Sequence, residues 1–296
     1  MININIKSFA FIFLLGLLWG PSFLLIKISL EGGTLPFTLT TLRVGIAALF
    51  LWLFVWLRHS PLPSRSIIGH AAIIAIFSQA LPFTLFNIAE QYIESALAGI
   101  INGITPIVTA LLAHVLIHDE KLNGKRMIGI ALGLIGFLVL LLPGLREAQQ
   151  ADTLSVLAVG LAAVSYAVGI IYGRLFLRNT RTLALPALQV SFATVYLLPL
   201  ALSLEGLAPI TQMTPSAWGS ILGLAFFGTA VAFVVYFHVL QEYGAVALGT
   251  SVFLLPIFSI FFGVVFLEET LSGVMYFGTA LILSGMQLVH AKPKTA

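Results

Sequence analysis

The sequence contains no cysteine, and only 8% of its 296 residues are Asp, Glu, Lys or Arg. The first absence removes disulfides, thiolate metal sites and cysteine nucleophiles together. The second removes a water-facing surface. Soluble domains carry about a quarter charged residues, and 14 basic with 11 acidic side chains cannot solvate a chain of this length. A soluble enzyme, a nucleic-acid binder and a disordered chain are all excluded. Also missing are an HExxH or paired-Asp metal motif, a GxSxG elbow and a phosphate-cradling GxxxxGKS or GxxxxGKT loop. No cofactor and no metal are therefore expected, and ATP-driven transport would need a separate subunit. No Asp or Glu falls at the centre of an apolar run, which argues against a pump built on a buried carboxylate relay.

What remains is apolar: 59% hydrophobic residues and a mean hydropathy of +1.08. That is a polytopic membrane protein. A helix crossing the hydrocarbon needs roughly 20 apolar residues, and runs bounded by Gly, Pro and charge predict ten of them. They fall near 8–28, 37–57, 67–88, 95–117, 126–143, 155–175, 184–204, 217–240, 245–267 and 273–290. The first run passes Trp19, Gly20 and Pro21 without a small-residue cleavage pattern, so it reads as a span and not a signal peptide. The runs are continuous and not alternating, which excludes an outer-membrane barrel.

Charge sets the expected orientation. With the N-terminus inside, eleven of the cations are cytoplasmic: Lys7, Arg58, Arg65, Lys121, Lys125, Arg126, Arg174, Arg178, Arg181, Lys292 and Lys294. The far side holds Lys27 and Arg146, and Arg43 lies within a span. This positive-inside bias predicts an even number of spans and both termini in the cytoplasm.

The second half repeats the first. Leu97-Ala98-Gly99 with Pro106 recurs as Ala247-Leu248-Gly249 with Pro256, 150 residues on. Glu120, Leu122 and Gly124 match Glu269, Leu271 and Gly273; Gly129 and Gly136 match Gly278 and Gly285. Phe86 and Tyr92 match Phe237 and Tyr243. Five helices per half is an odd number, so the second half must enter the membrane inverted. The expected fold is all-α, with ten transmembrane helices in two inverted five-helix repeats, 1–145 and 153–291. Inverted repeats are a frequent plan of secondary transporters.

These residues resemble the EamA-type transporters of the drug/metabolite transporter superfamily. The resemblance rests on Leu18-Trp19-Gly20, Arg43, Glu90-Gln91-Tyr92, the run Ala96 to Asn102 with Thr105-Pro106, Glu120-Lys121-Leu122, and the echoes at Pro256 and Glu269. It implies a ten-helix exporter of small metabolites in a bacterial inner membrane, with amino acids as common substrates. One departure is Ala193, which stands where a repeat partner of Arg43 would fall. Phosphate recognition calls for lining cations, and Arg43 and Lys27 are few, so a substrate of low net charge is favoured over nucleotides or sugar phosphates.

Polar side chains within spans are costly and mark functional positions. Gln79, Phe83, Asn87 and Glu90 fall on one helical face, and Pro82 on the same helix is expected to bend it. That face lines the path or bonds neighbouring helices. Asn102, Thr105 and Thr109 share a second face beside Pro106, with substrate contact and packing both open. Trp19 with Ser22, and Tyr166 with Tyr236, are candidate cavity walls, or core packing. Arg43 either snorkels outward, holds a substrate carboxylate, or pairs with Glu90 or Glu94. His238, the repeat partner of Asn87, and Glu90 are the candidates for proton coupling. Gly129 and Gly133 have the spacing of close helix contact, within the chain or across a homodimer. The expected partners are a small-molecule substrate and membrane lipid. The alternatives are a carrier of another metabolite class, a passive channel, or a membrane-embedded lipid-modifying enzyme, whose clustered acids, histidines or metal ligands this chain lacks.

Overall fold

The computed structural model describes residues 6–117, 124–146, 150–177, 180, 182–242, 251–252 and 254–290, and among these the regular structure is helical throughout. The first half comprises α1 (Ile6–Trp19), α2 (Ser22–Glu31), α3 (Pro36–Leu57), α4 (Arg65–Ala75), α5 (Leu81–Ala89), α6 (Ser95–Asn102), α7 (Thr105–Leu116) and α8 (Gly124–Arg146). The second comprises α9 (Gln150–Phe176), α10 (Ala184–Leu204), the short α11 (Ala208–Gln212), α12 (Pro215–Ala225), α13 (Ala232–Glu242), α14 (Leu254–Leu267) and α15 (Gly273–His290).

Several joints leave the helices running on. A π-helical segment, Ile76–Ala80, joins α4 to α5, and another, Phe226–Val231, joins α12 to α13. Eight continuous runs are long and apolar enough to cross a membrane: Phe9–Glu31, Pro36–Leu57, Arg65–Ala89, Ser95–Leu116, Gly124–Leu142, Asp152–Phe176, Ala184–Leu204 and Pro215–Val239. α14 and α15 are shorter apolar helices. The ninth expected span, 245–267, is seen from Leu254 onward. Ala247-Leu248-Gly249, Glu120 and the cations Lys121, Arg178, Arg181, Lys292 and Lys294 lie outside the described residues.

Glycine and proline set the breaks. The first run is interrupted at Gly20-Pro21 and extends to Glu31, past the expected end at residue 28. A side chain at Gly20 would collide with Phe258 of α14, so the close approach requires glycine. α6 ends at Asn102 and tightens into a turn, with Gly103 N donating to Ile100 O at 3.0 Å and Ile104 N to Ile101 O at 3.0 Å, before Pro106 opens α7. Pro82 follows the first π segment, where its missing N–H costs no ordinary helical bond.

Helix neighbours follow a pattern. α3 packs on α10, α6 on α14, α8 on α15, α2 on α12 and α5 on α9. Taken as whole runs, exchanging each for its counterpart in the other half returns these five pairings. The tightest seam joins α8 to α15. A Cβ on Gly129 would come within 2.7 Å of Gly285 O, and one on Gly285 within 2.6 Å of Gly129 O. The glycine face expected to serve packing or a dimer is thus used within the chain. The largest core cluster gathers Phe23, Phe86, Ile100, Ile101, Val159 and Ile221, where the two halves meet.

Candidate functional site

Arg43 lies two turns inside α3 and is 5% exposed. Its outward-snorkelling alternative therefore does not describe the structure: the guanidinium turns into the bundle. Nε donates to Thr229 Oγ1 at 3.1 Å, and the guanidinium carbon sits 3.9 Å from the centre of the Phe83 ring. Among the described residues, Nε is the one guanidinium nitrogen that makes a hydrogen bond. The terminal nitrogens point toward Gly228, where a Cβ would lie 3.9 Å from one of them and 3.0 Å from Ser22 Oγ. Ser22 Oγ is itself buried with no hydrogen-bond partner. Glycine at 228 thus keeps open a small space between a cation and an unbonded hydroxyl.

Both π segments deliver side chains here. Such segments leave a backbone carbonyl out of register and are frequent at functional sites. Thr229, in the second, accepts from Arg43 and donates to Leu224 O at 2.9 Å. Gln79, in the first, is 1% exposed; its Nε2 donates to Gln189 Oε1 of α10 at 3.1 Å. Gln79 Oε1 has no partner. Ala80, Phe83 and Ala230 share one cluster with Val44 of α3, so both segments flank the Arg43 turn.

Aromatic rings close the walls. Tyr166 of α9 is half-buried, 6.4 Å from Phe83 and 6.1 Å from Phe86 between centroids. Trp19 and Tyr236, also half-buried, face each other at 6.1 Å where α1 meets α13. Asn87 is fully buried, but its Nδ2 binds Thr40 Oγ1 at 2.8 Å and Pro36 O at 3.2 Å, bracing α5 against α3. Asn102 accepts from Thr105 Oγ1 at 3.1 Å across the α6–α7 break, so it bonds within its own span. His238 is exposed, with its ring 4.5 Å from Phe11, apart from the buried group.

A second polar group lies at the ends of these helices. Lys27 Nζ donates to Glu90 O at 2.9 Å and Ile93 O at 3.1 Å, tying α2 to the turn between α5 and α6. Glu269 accepts from Ser95 N at 2.6 Å and Ala96 N at 2.9 Å, capping α6 from the other half. Glu205 does the same for α3, accepting from Phe37 N at 2.9 Å and from Thr38 N and Oγ1 at 2.7 Å each. Carboxylates at helix N-termini satisfy orphan amides and complement the dipole. Glu94, in the turn, has its carboxyl pushed upward from the ordinary value by burial and by Glu269, with Lys27 pulling it back.

Sequence reasoning missed Thr229, Gln189, Lys27 and the two capping glutamates. Thr229 had a signal, since it stands 150 residues after Gln79, the spacing of the repeat. The sequence places Lys27 at a span end on the far side; in the structure the helix continues past it to Glu31.

Known proteins resemble this chain over most of its length. A family model described as "EamA-like transporter family" matches residues 6–142 and again 153–290. An "Uncharacterized transporter" of Archaeoglobus fulgidus is 26% identical over 97% of this chain and 99% of its own length. An "Uncharacterized inner membrane transporter" of Escherichia coli is 24% identical over 97% and 94%. A "Probable amino-acid metabolite efflux pump" of Salmonella typhimurium is 28% identical over 91% and 90%. One solved crystal structure shares the fold, with a TM-score of 0.64 over 95% of this chain and 96% of that one, at 22% identity.

Proposed function

The chain belongs to the EamA-like transporter family, and we propose that it is a secondary transporter exporting amino acids or close relatives by alternating access. It is a multi-pass inner-membrane transporter; the substrate, the mechanism and the direction are our reading. The observation that carries it is Arg43: a buried cation, stacked on Phe83, whose terminal nitrogens make no hydrogen bond among the described residues. A guanidinium in that condition suits the fork of a carboxylate. Gln79 Oε1 and Ser22 Oγ supply unused polar atoms nearby for an amino group, while Phe83, Tyr166, Trp19 and Tyr236 accept an apolar side chain. Two relatives named as probable amino-acid metabolite efflux pumps support the same substrate class.

On this reading, α14 and α15 complete ten spans. Residues 1–145 and 153–291 are inverted repeats, and both termini are cytoplasmic. The neighbour set that survives exchange of the halves supports that arrangement. Two-fold related halves transport by trading conformations, which turns an inward opening into an outward one. No enzymatic step is invoked.

The test is counterflow of labelled amino acids into liposomes holding the purified protein, with nucleotides and sugar phosphates as controls. Saturable exchange of one amino-acid group is expected. Exchange of the phosphorylated controls alone would reject the substrate, and flux with neither saturation nor counterflow would reject the carrier.

A further inference from the structure

Glu90 follows the last residue of the third membrane-crossing run and is fully buried, yet among the described residues neither carboxyl oxygen has a hydrogen-bond partner. Burying a charge without partners is far more costly than burying a neutral acid. The neighbouring cations act on it through space but do not bond to it. Lys27, from α2, directs its ammonium to the backbone carbonyls of Glu90 and Ile93 and not to the carboxyl. Arg43, from α3, engages Thr229 and Phe83. Two more acids share the region: Glu94 on the same turn, with one oxygen unpartnered, and Glu269 beside α14, committed to the α6 amides.

We propose that Glu90 is a proton-binding site that fills together with the substrate carboxylate on Arg43. The inference rests on the amino-acid reading above for its second ligand, though not for its first. The Arg43 guanidinium stacks on Phe83, two helical turns before Glu90 along the same run, so the two groups lie within one charged neighbourhood. Glu90 and Arg43 interact electrostatically, so an ionised Glu90 competes with a substrate anion for the guanidinium field. Once a substrate carboxylate occupies Arg43, that pull on Glu90 is cancelled and the proton is held more firmly. By reciprocity, a proton on Glu90 leaves Arg43 free for the anion. Burial drives the Glu90 carboxyl well above its ordinary range; Lys27 draws it back, Glu269 adds to the rise and Arg43 again opposes it. The repeat also points this way: the counterpart of Glu90 is Gln241, a neutral side chain of the same shape.

Infrared difference spectra of the full protein in membranes test the proton site without any substrate. At neutral pH, wild type minus Glu90→Gln should show the carbonyl stretch of a protonated carboxylic acid, and Glu90→Asp should move that band without removing it. In liposomes, the half-saturating concentration of the amino acid accepted in counterflow should rise once pH is raised above neutral through the range where Glu90 ionises, by up to about tenfold per pH unit. Glu90→Gln should change less than about twofold over the same range. Absence of the band at neutral pH overturns the proposal, and so does a Glu90→Gln profile that follows wild type. If wild type exchanges no amino acid while the band is present, the substrate reading fails and the proton on Glu90 stands.

Discussion

The third runs of the two halves, Arg65–Ala89 and Pro215–Val239, have the same backbone and different chemistry. Each carries a π segment at the same repeat position, Ile76–Ala80 and Phe226–Val231. The first half then loads the helix with Gln79, Asn87 and, just beyond it, Glu90, all buried. The second half places Thr229, Tyr236 and the exposed His238 on its counterpart. Likewise α3 supplies Arg43, and α10 offers Ala193 at the matching site. On the proposed reading, symmetry belongs to the scaffold, which would exchange conformations, and asymmetry to the site, which would hold a ligand with two unlike ends.

That contrast breaks most easily at Arg43. Replacing it with Gln should lower counterflow about 30- to 100-fold, the loss of a charge-assisted pair. Lys should recover only part, because a point charge lacks the fork. Equal rates for Lys and Gln would reject the clamp. The matched caps come next. Glu205→Ala and Glu269→Ala should each cost about 1–2 kcal/mol, read as a lower melting temperature in detergent. Glu205 should cost more, since it also holds Thr38 Oγ1. A larger loss at Glu269 would show that the α6 cap is the dominant joint between the halves.

Smaller effects sharpen the chamber. Thr229→Val removes a hydrogen bond donated by the Arg43 guanidinium and should reduce counterflow about tenfold, roughly 1.5 kcal/mol. Gln79→Ala should lower transport with protein levels unchanged, whereas Asn87→Ala should act mainly on stability, because Asn87 braces α5 to α3. The weakest signal is the pH dependence of melting. Glu94 has a raised carboxyl pKa in the fold, so its contribution is fully present below the ordinary carboxylate pKa and lost as pH rises through the folded value. Glu94→Gln should remove the loss of stability that sets in as pH rises from the ordinary carboxylate range through the raised value.

Much of the scaffold was legible because hydropathy, proline and glycine act locally. The runs at 37–57 and 184–204 match α3 and α10 almost residue for residue. The glycines at 129, 136, 278 and 285 announced a close seam before its partner was visible. The chamber was less legible, since a side chain's partner is set by packing and not by its own helix. Gln79, Phe83, Asn87 and Glu90 share a face by spacing, yet the π segment and their different neighbours give them separate tasks. By sequence Asn102 and Asn87 are each open between lining the path and bonding other groups; in the structure Asn102 bonds within its own span and Asn87 bonds α3. Arg43 could be recognised as unusual from the sequence, but its inward turn depends on Gly228 and Thr229, far away in the chain.

The seam between α8 and α15 also has a consequence for biosynthesis. Gly129 and Gly285 touch backbone to backbone, yet more than half the chain separates them. A ribosome delivers α8 to the membrane early and α15 last, so the groove formed by Gly129 and Gly133 stands empty while the intervening helices insert. Until the final helix arrives, a quality-control protease meets an unfinished bundle with its narrowest groove unfilled. Chains truncated before Gly273 remain in that condition permanently.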